Sequence, residues 1–506
     1  MKFMDKPYRN LVREVAYSQY AVRDQNSVLG LLWSFLNPLL MMAVLFAYFR
    51  LNAGRDVKHY AIFLLLGMIH YTHFSNSTNV AMNVLTTMAQ LTRHTILPKE
   101  VLVIGSVLST SVEFLASLLV CLALACLTGV PPSWAMLGLP LIVLLQLLFV
   151  MWVSLLLSAT QVFVKDLTHV YQVLLRLLFI ATPIFYSTAF LRNPLALQLV
   201  RFNPLAGLIG LSRRSVIEGQ MLSSQVFLML AAIHAVALWA RSAGSNAVSP
   251  ALPNMRDRDC AIRMKNVTKL FLSGTRRHSL FRLVMGKVSR RWAPETFAAL
   301  RSINLEVKCG DRVAVIGNNG SGKSTLLRIA AGLHPPTSGT VETRGERTLL
   351  AGLGVGMVDE LPVEDNIFLY GAMHGVSRAA LRESIGEILE WADLTDFRQA
   401  PLKSLSTGMH SRLAFSVTRR IVADIYLLDE ALSAGDQSFR EKCDLVFKAH
   451  ARSGTTMLIA THDYAFAERH CTETLWLDHG RQVDLGHTAR VLEHYREYRE
   501  GRRTAV

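Results

Sequence analysis

VAVIGNNGSGKSTLLRIAAG, residues 313–332, carries the reading that decides the fold class. VAVIG is short, apolar and β-branched, which suits a buried strand, and LLRIAAG continues at helical spacing. Between them GNNGSGKST (317–325) matches the phosphate-binding loop pattern in the strand-loop-helix setting that the pattern requires. Glycines let backbone N–H groups close around a phosphate. Lys323 reaches the phosphate oxygens, and Ser324 offers its hydroxyl to Mg2+ with Thr325 assisting. The stretch therefore predicts an α/β domain that holds ATP and Mg2+ through Gly317, Asn318, Asn319, Gly320, Ser321, Gly322, Lys323, Ser324 and Thr325.

Three further signals follow along the chain. IYLLDE (425–430) is an apolar strand ending in two carboxylates; Asp429 is placed to hold Mg2+ through water and Glu430 to polarise an attacking water. LSTGM (405–409) puts the Ser406 hydroxyl and the backbone of Thr407 and Gly408 at a helix start, a setting that binds phosphate. LIATHD (458–463) is a strand followed by His462. In this order, and with AGLHPPTSG (331–339) behind the loop, the motifs resemble an ABC ATPase over residues 256–490. LSTGM stands where that superfamily carries LSGGQ, so the resemblance implies that it faces the nucleotide of another subunit, and His462 matches the switch histidine. STGMHSRLAF (406–415) and DEALSAGDQSFREKC (429–443) resemble the ATPases of O-antigen, capsule and teichoic acid export, which share the methionine at Met409. By the same resemblance Asp436 is the D-loop aspartate and Phe271 stacks on adenine. One departure stands out: 340–371 contains no glutamine, so TLLAGLGVGMVDELPVEDN (348–366) lacks the usual Q-loop residue, with Gly352 at the matching position.

Composition divides the chain. Residues 1–240 hold 16 of the 53 Lys/Arg and 8 of the 38 Asp/Glu among long apolar runs, and the remainder reads like a water-soluble enzyme. The net charge of +15 comes without any nucleic-acid recognition motif, so anionic phospholipid heads are the predicted partner and nucleic acid is not. Six cysteines without CxxC spacing read as reduced. The N-terminus is charged throughout and reads as an uncleaved start rather than a signal peptide.

A spanning helix needs about 20 apolar residues. Six segments qualify, near 30–50, 60–80, 102–129, 137–160, 169–188 and 225–242. An even number puts both termini on one side, and the ATPase makes that side cytoplasmic. Residues 5–24 carry Tyr8, Leu11, Val12 and Val15 at helical spacing, the pattern of a helix lying in the cytoplasmic interface or packed on the ATPase. Two ionisable residues fall within spans: Arg176, near a span end where it can snorkel, and Glu113, which faces a partner helix or a conduit.

VLGLLWSFLNPLL (28–40), RHTILPKEVLVI (93–104), FVKDLTHVYQVLLRLLFIATPIFY (163–186) and FNPLAGLIGLSRRSVIEG (202–219) together resemble the permease of ABC-2 type polysaccharide exporters. The resemblance implies cytoplasmic docking loops at 81–100 and 161–168, and short re-entrant helices at 187–224. Aromatic rings offer flat faces to the C–H faces of sugars, so Trp33, Phe35, Tyr48, Tyr71, Phe74, Phe185 and Tyr186 are the expected conduit lining, though Tyr71 and Tyr186 also suit an interfacial belt.

The organisation expected is thus a polytopic α-helical membrane domain of six spans (1–241), a linker rich in Ser, Ala, Pro and Asn (242–255) and an α/β P-loop ATPase (256–506). RRHSLFRLVMGKVSRRWAPETF (276–297) reads as a basic amphipathic helix, set against lipid head groups or against its own domain. Together these readings predict an ATP-hydrolysing exporter of a lipid-linked polysaccharide in the bacterial inner membrane, working as a homodimer with two composite ATP sites. Two other functions fit the same architecture: export of a small lipid or drug, and mechanical signalling without a cargo.

Overall fold

A computed structural model of the chain describes residues 6–25, 32–49, 59–164, 166–188, 191, 193–221, 259–272, 296–352, 354–429 and 437–503. The sixth expected span, the linker and almost all of the basic segment at 276–297 lie outside these residues, as do Glu430 and Asp436.

The membrane part begins with α1 (Lys6–Gln25), followed by α2 (Leu32–Phe49), α3 (Tyr60–Thr87), the short α4 (Ala89–His94) and α5 (Glu100–Leu127). At 28 residues each, α3 and α5 extend about 42 Å, more than the hydrocarbon core of a bilayer. Helix α5 ends on Gly129, whose φ of +82° lets Val130 donate back to the Ala125 carbonyl at 3.0 Å, and Pro131 and Pro132 then prevent any continuation. The chain returns as α6 (Leu139–Phe163) and α7 (Leu167–Ala181). Among the described residues two helices are long and apolar enough to cross a membrane, Glu100–Leu127 and Trp134–Phe163. A third arises if α8 (Pro194–Phe202) and the helix running from Pro204 to Glu218, bent by 85° against each other, form one broken span. That bent pair falls within the stretch expected to be re-entrant; its second arm contains α9 (Pro204–Arg213).

Helix α7 is shorter than the expected fifth span because Pro183 follows its C-cap, Thr182. The broken end is held by Arg213, whose guanidinium donates to the carbonyls of Pro183 (2.6 Å), Ile184 (2.7 Å) and Phe63 (2.9 Å) and lies 3.3 Å over the Phe63 ring. Polar side chains also join the helices internally. His70 meets Gln146 and Ser212, His73 meets Ser111, Ser77 meets Thr110, and Tyr171 donates to Thr78. Where lipid is as apolar as leucine, such pairs and close packing hold helices together.

The second part is built on a nine-stranded sheet with strand order β4-β1-β2-β9-β8-β3-β7-β6-β5. In chain order these are β1 (Cys260–Leu272), β2 (Thr296–Lys308), β3 (Arg312–Ile316), β4 (Ser338–Thr343), β5 (Arg347–Ala351), β6 (Ile425–Asp429), β7 (Thr456–Ala460), β8 (Glu473–Asp478) and β9 (Arg481–His487). Strands β5, β6, β7, β3 and β8 run parallel and are almost wholly apolar, as strands covered on both faces must be. Helix α10 (Lys323–Ala330) follows β3 and buries Leu326, Leu327 and Ile329 on the sheet core. A separate helical lobe, α11 (Val363–Met373), α12 (Arg378–Trp391) and α13 (Thr407–Thr418), packs around its own core of Ile367, Leu381, Ile388 and Leu413. The chain closes with α14 (Gln437–Arg452), α15 (Tyr464–His470) and α16 (Thr488–Arg503). All six cysteines are free thiols.

The sequence left α1 between an interfacial and a docked position. In the structure one face of the helix is docked: Val15 packs beside Gly105 of α5, Glu14 pairs with Arg378 of α12, and Tyr17 meets Asp365 of α11. Glu113 finds a helix partner as well, its carboxylate lying 2.9 Å from Arg23 of α1. Arg176 is exposed.

Candidate nucleotide site and its docking face

Strand β3 delivers the loop 317–322 at its C-terminal end, and the backbone there is one that only glycine adopts easily. Gly317, Gly320 and Gly322 have φ of +145°, +79° and +107°. A Cβ at Gly317 would sit 2.1 Å from the Leu477 carbonyl oxygen, and one at Gly322 would sit 2.7 Å from that of Ala299. The loop therefore lies directly on the neighbouring strands.

Lys323 begins α10 and is only 5% exposed. Its ammonium donates to the carbonyls of Gly317 (2.9 Å) and Asn318 (3.3 Å) and lies 3.2 Å from Nε2 of His462. Ser324 donates its hydroxyl to Asp429 at 3.1 Å. Asn318 accepts from Tyr495 of α16 at 3.4 Å, and Ser321 Oγ is buried without a partner among the described residues. Parallel pairing explains the gathering. β3, β6 and β7 are adjacent, so the residues leaving their C-terminal ends (the loop, Asp429 and His462) converge at one edge of the sheet.

This donor set fits ATP with Mg2+: a glycine cradle of backbone N–H groups, an ammonium folded against its own loop, and a hydroxyl-carboxylate pair suited to a hard cation. Phe271, the expected adenine platform, is a half-exposed ring at the end of β1, edge-on to His334 at 5.8 Å and opposite Phe297 on β2.

Ser406 lies in the helical lobe rather than at the sheet edge. It caps α13 by accepting from the Met409 amide at 3.3 Å, and Ser406 and Thr407 are exposed. Gly352 directly follows Ala351, which pairs with Asp429 across β5 and β6. Gly352, Gly354 and Gly356 all have positive φ, between +83° and +99°. The segment lacking a glutamine is thus a glycine-rich turn that begins beside the expected metal ligand.

In the helical lobe, burial depresses His374 to about 4, and its Nδ1 is 3.0 Å from the Thr348 hydroxyl. Burial also lowers His410. The Arg398 guanidinium, donating at 2.7 and 2.9 Å, lowers Glu364.

The expected conduit aromatics separate into three groups. Tyr71, Phe185 and Tyr186 come together with Phe179, a ring that sequence reasoning missed. Tyr71 and Phe179 meet edge-on at 5.0 Å, and Phe185 lies 6.0 Å from Phe179 and 5.2 Å from Tyr186. Trp33 and Tyr48 are exposed on α2, and the Phe35 side chain is outside the described residues. Phe74 is 5% exposed and stacks on Phe149 at 5.4 Å, so here it belongs to the packed interior of the bundle instead of a lining surface.

The docking segment joins the two parts. Leu91 of α4 enters a socket formed by Gly356 and Met373, and Leu97 shares a core with Leu361, Leu369 and Met373. The expected loop at 81–100 therefore meets the ATPase. Thr168, from the other expected loop, bonds within the membrane part to Gln161 and Asn83.

Comparison with known proteins agrees with both halves. Residues 11–216 match the family description "ABC-2 type transporter" and residues 300–433 match "ABC transporter". A teichoic acids export ATP-binding protein of Levilactobacillus brevis is 37% identical over 246 residues, 48% of this chain and 66% of its own length. An O-antigen export system ATP-binding protein of Myxococcus xanthus is 36% identical over 47% of this chain and 56% of its own. Its namesake from Klebsiella pneumoniae is 34% identical over 40% of this chain and 82% of its own. The chain thus spans less than two thirds of the length of the curated relatives it matches first. With an ABC-2 membrane region and an ABC ATPase domain in one polypeptide, and with these relatives, the chain belongs to the ABC transporters and groups with the ATP-binding proteins of teichoic acid and O-antigen export.

Proposed function

We propose that this chain is an ATP-driven exporter of a lipid-linked polysaccharide, an O-antigen, capsule or similar glycan, across the bacterial inner membrane. The observation that carries the reading is the Lys323–His462 and Ser324–Asp429 cluster within a chain that also has an ABC-2 membrane region. The relatives, ATP-binding proteins of teichoic acid and O-antigen export, suggest the cargo class. Residues 1–241 form the permease of six spans with both termini cytoplasmic, 242–255 the linker and 256–506 the ATPase.

Bound MgATP supplies a transferable phosphoryl group. Toward it, the amides of Gly317, Asn318, Asn319, Gly320, Ser321 and Gly322 would hold the β-phosphate. Lys323 would leave its carbonyl partners for the outer oxygens. Ser324, with Thr325 beside it, and Asp429 would hold Mg2+, and Phe271 would support the adenine. Glu430 would orient water and His462 would contact the outermost phosphate. Ser406, Thr407 and Gly408 of a second copy would close over the nucleotide, with Asp436 at the same junction. Support for the homodimer comes from the helical lobe, where Ser406 caps its own helix by accepting from the Met409 amide and stands exposed on the surface. The glycan would pass along a conduit faced by Tyr71, Phe179, Phe185 and Tyr186, with Trp33, Phe35 and Tyr48 from the α2 segment.

Reconstituted vesicles test this reading. Glu430→Gln should bind nucleotide but neither hydrolyse it nor export lipid-linked glycan. Mixing Lys323→Ala chains with Ser406→Arg chains should restore one composite site and part of the activity. Parental turnover by Glu430→Gln, or a monomer with full activity, would overturn the site and dimer assignments respectively.

A further inference from the structure

The glycine-rich turn at 352–356 leaves the permease without the glutamine that usually links it to the metal, yet the docking segment reaches the nucleotide site by another route. Leu91 of α4 fits because Gly356 has no side chain: a Cβ there would lie 2.5 Å from Leu91 Cδ1 and 2.8 Å from Met373 Sδ. One turn further on, Nδ1 of His94 lies 3.4 Å from Nη2 of Arg328. Ile96 then packs against the sheet core that includes Leu326 and Leu327. The segment therefore touches α10, the helix that Lys323 begins, through Arg328.

Arg328 lies five residues beyond Lys323, about 7.5 Å along the helix axis. Between them Leu326 and Leu327 are fully buried, so this two-turn helix cannot flex independently of the loop at its start. The Arg328 Nε hydrogen is buried without an acceptor among the described residues, and at Nη2 the guanidinium meets His94. A neutral imidazole accepts through Nδ1, and a guanidinium only donates.

The geometry points to His94 and Arg328 as positioning residues that transmit nucleotide occupancy from the phosphate loop to the permease. Binding at the loop shifts Lys323, the rigid helix carries Arg328 with it, and His94 passes the shift to α4. The inference rests on the nucleotide-site reading of the preceding section.

Hydrogen-deuterium exchange of the full chain in lipid nanodiscs, with and without a non-hydrolysable MgATP analogue, tests it. In the parent, the analogue should slow exchange at 317–326 and change exchange at 89–96 by at least about fivefold, the low end of coupling between linked sites. His94→Asn, which keeps an acceptor near the Nδ1 position, should retain the response. His94→Leu and Arg328→Met should keep protection at 317–326, which also certifies their folding, and lose the change at 89–96. A response that survives in both of these variants overturns the inference. So does a parent protected at the loop but unchanged at 89–96, and so does loss of loop protection in the variants, which would make the contact merely structural. A parent showing no protection at 317–326 would instead sink the nucleotide-site reading itself.

Discussion

The carboxylate of Glu14 lies 2.5 Å from the guanidinium of Arg378, a residue 364 positions later in the chain. Glu14 is only 3% exposed, Arg378 is 29% exposed, and Arg13 holds the same carboxylate at 3.1 Å, so the pair forms a half-buried link between α1 and the helical lobe. Removing Arg378 leaves the buried Glu14 carboxylate with Arg13 alone, at a cost of about 1–3 kcal/mol, whereas replacing both members of the pair by apolar residues costs less. Arg378→Met should therefore destabilise the detergent-solubilised chain clearly, and Glu14→Leu combined with Arg378→Met should recover most of the loss. Thermal unfolding of the parent, single and double variants makes the comparison; a double variant as damaged as the sum of the singles would contradict it.

Gly317→Ala should abolish nucleotide binding while leaving the membrane part folded. The new Cβ would meet the Leu477 carbonyl at 2.1 Å, at a φ of +145° that alanine resists, so the loop must leave β8. Titration with a fluorescent ATP analogue checks this, and binding at parental affinity would show that the loop tolerates displacement.

Arg213→Leu should unravel the junction between α7 and α9. The carbonyls of Pro183 and Ile184 lose their donors in an apolar setting, each at about 1–3 kcal/mol, and that of Phe63, which already accepts within α3, loses its second donor. Gly67 makes room for this guanidinium, since a Cβ there would lie 2.7 Å from Nη2. Lysine at 213 should rescue only in part, because one ammonium cannot fork among carbonyls from two segments. The folded fraction after mild heating, read by size-exclusion chromatography, ranks the variants; equal survival of parent and Arg213→Leu would refute the capping role.

Acid should weaken the ATPase part through His374. Its folded value of about 4 lies below the ordinary 6.5, so the unfolded chain takes up the proton first as pH falls. The stability held above pH 6.5 is lost progressively down to about pH 4, by up to roughly 3 kcal/mol. His374→Asn should flatten the dependence of the unfolding midpoint across that window, and an unchanged slope would rule His374 out as its source.

What the sequence determined by itself was the local chemistry. The strand-loop-helix run at 313–332 specifies its own glycine conformations and its own cradle, and Asp429 and His462 reach that cradle because adjacent parallel strands all end on one edge. Long apolar runs likewise determined α5 and α6, since a helix in lipid must satisfy its own backbone. Tertiary structure alone decided which surfaces meet. Helical periodicity showed that α1 has an apolar face but not that α5 and the helical lobe cover it, and it could not reveal that Phe74 is spent on Phe149. Arg213, His94 and Glu14 gave no signal beyond ordinary polar residues beside apolar runs, the RR pair at 213–214 being the faintest hint. Ile184, Arg328 and Arg378, which they meet, lie 29, 234 and 364 residues away, and a pairing across such distances is chosen by the packing of whole helices, which no local pattern encodes.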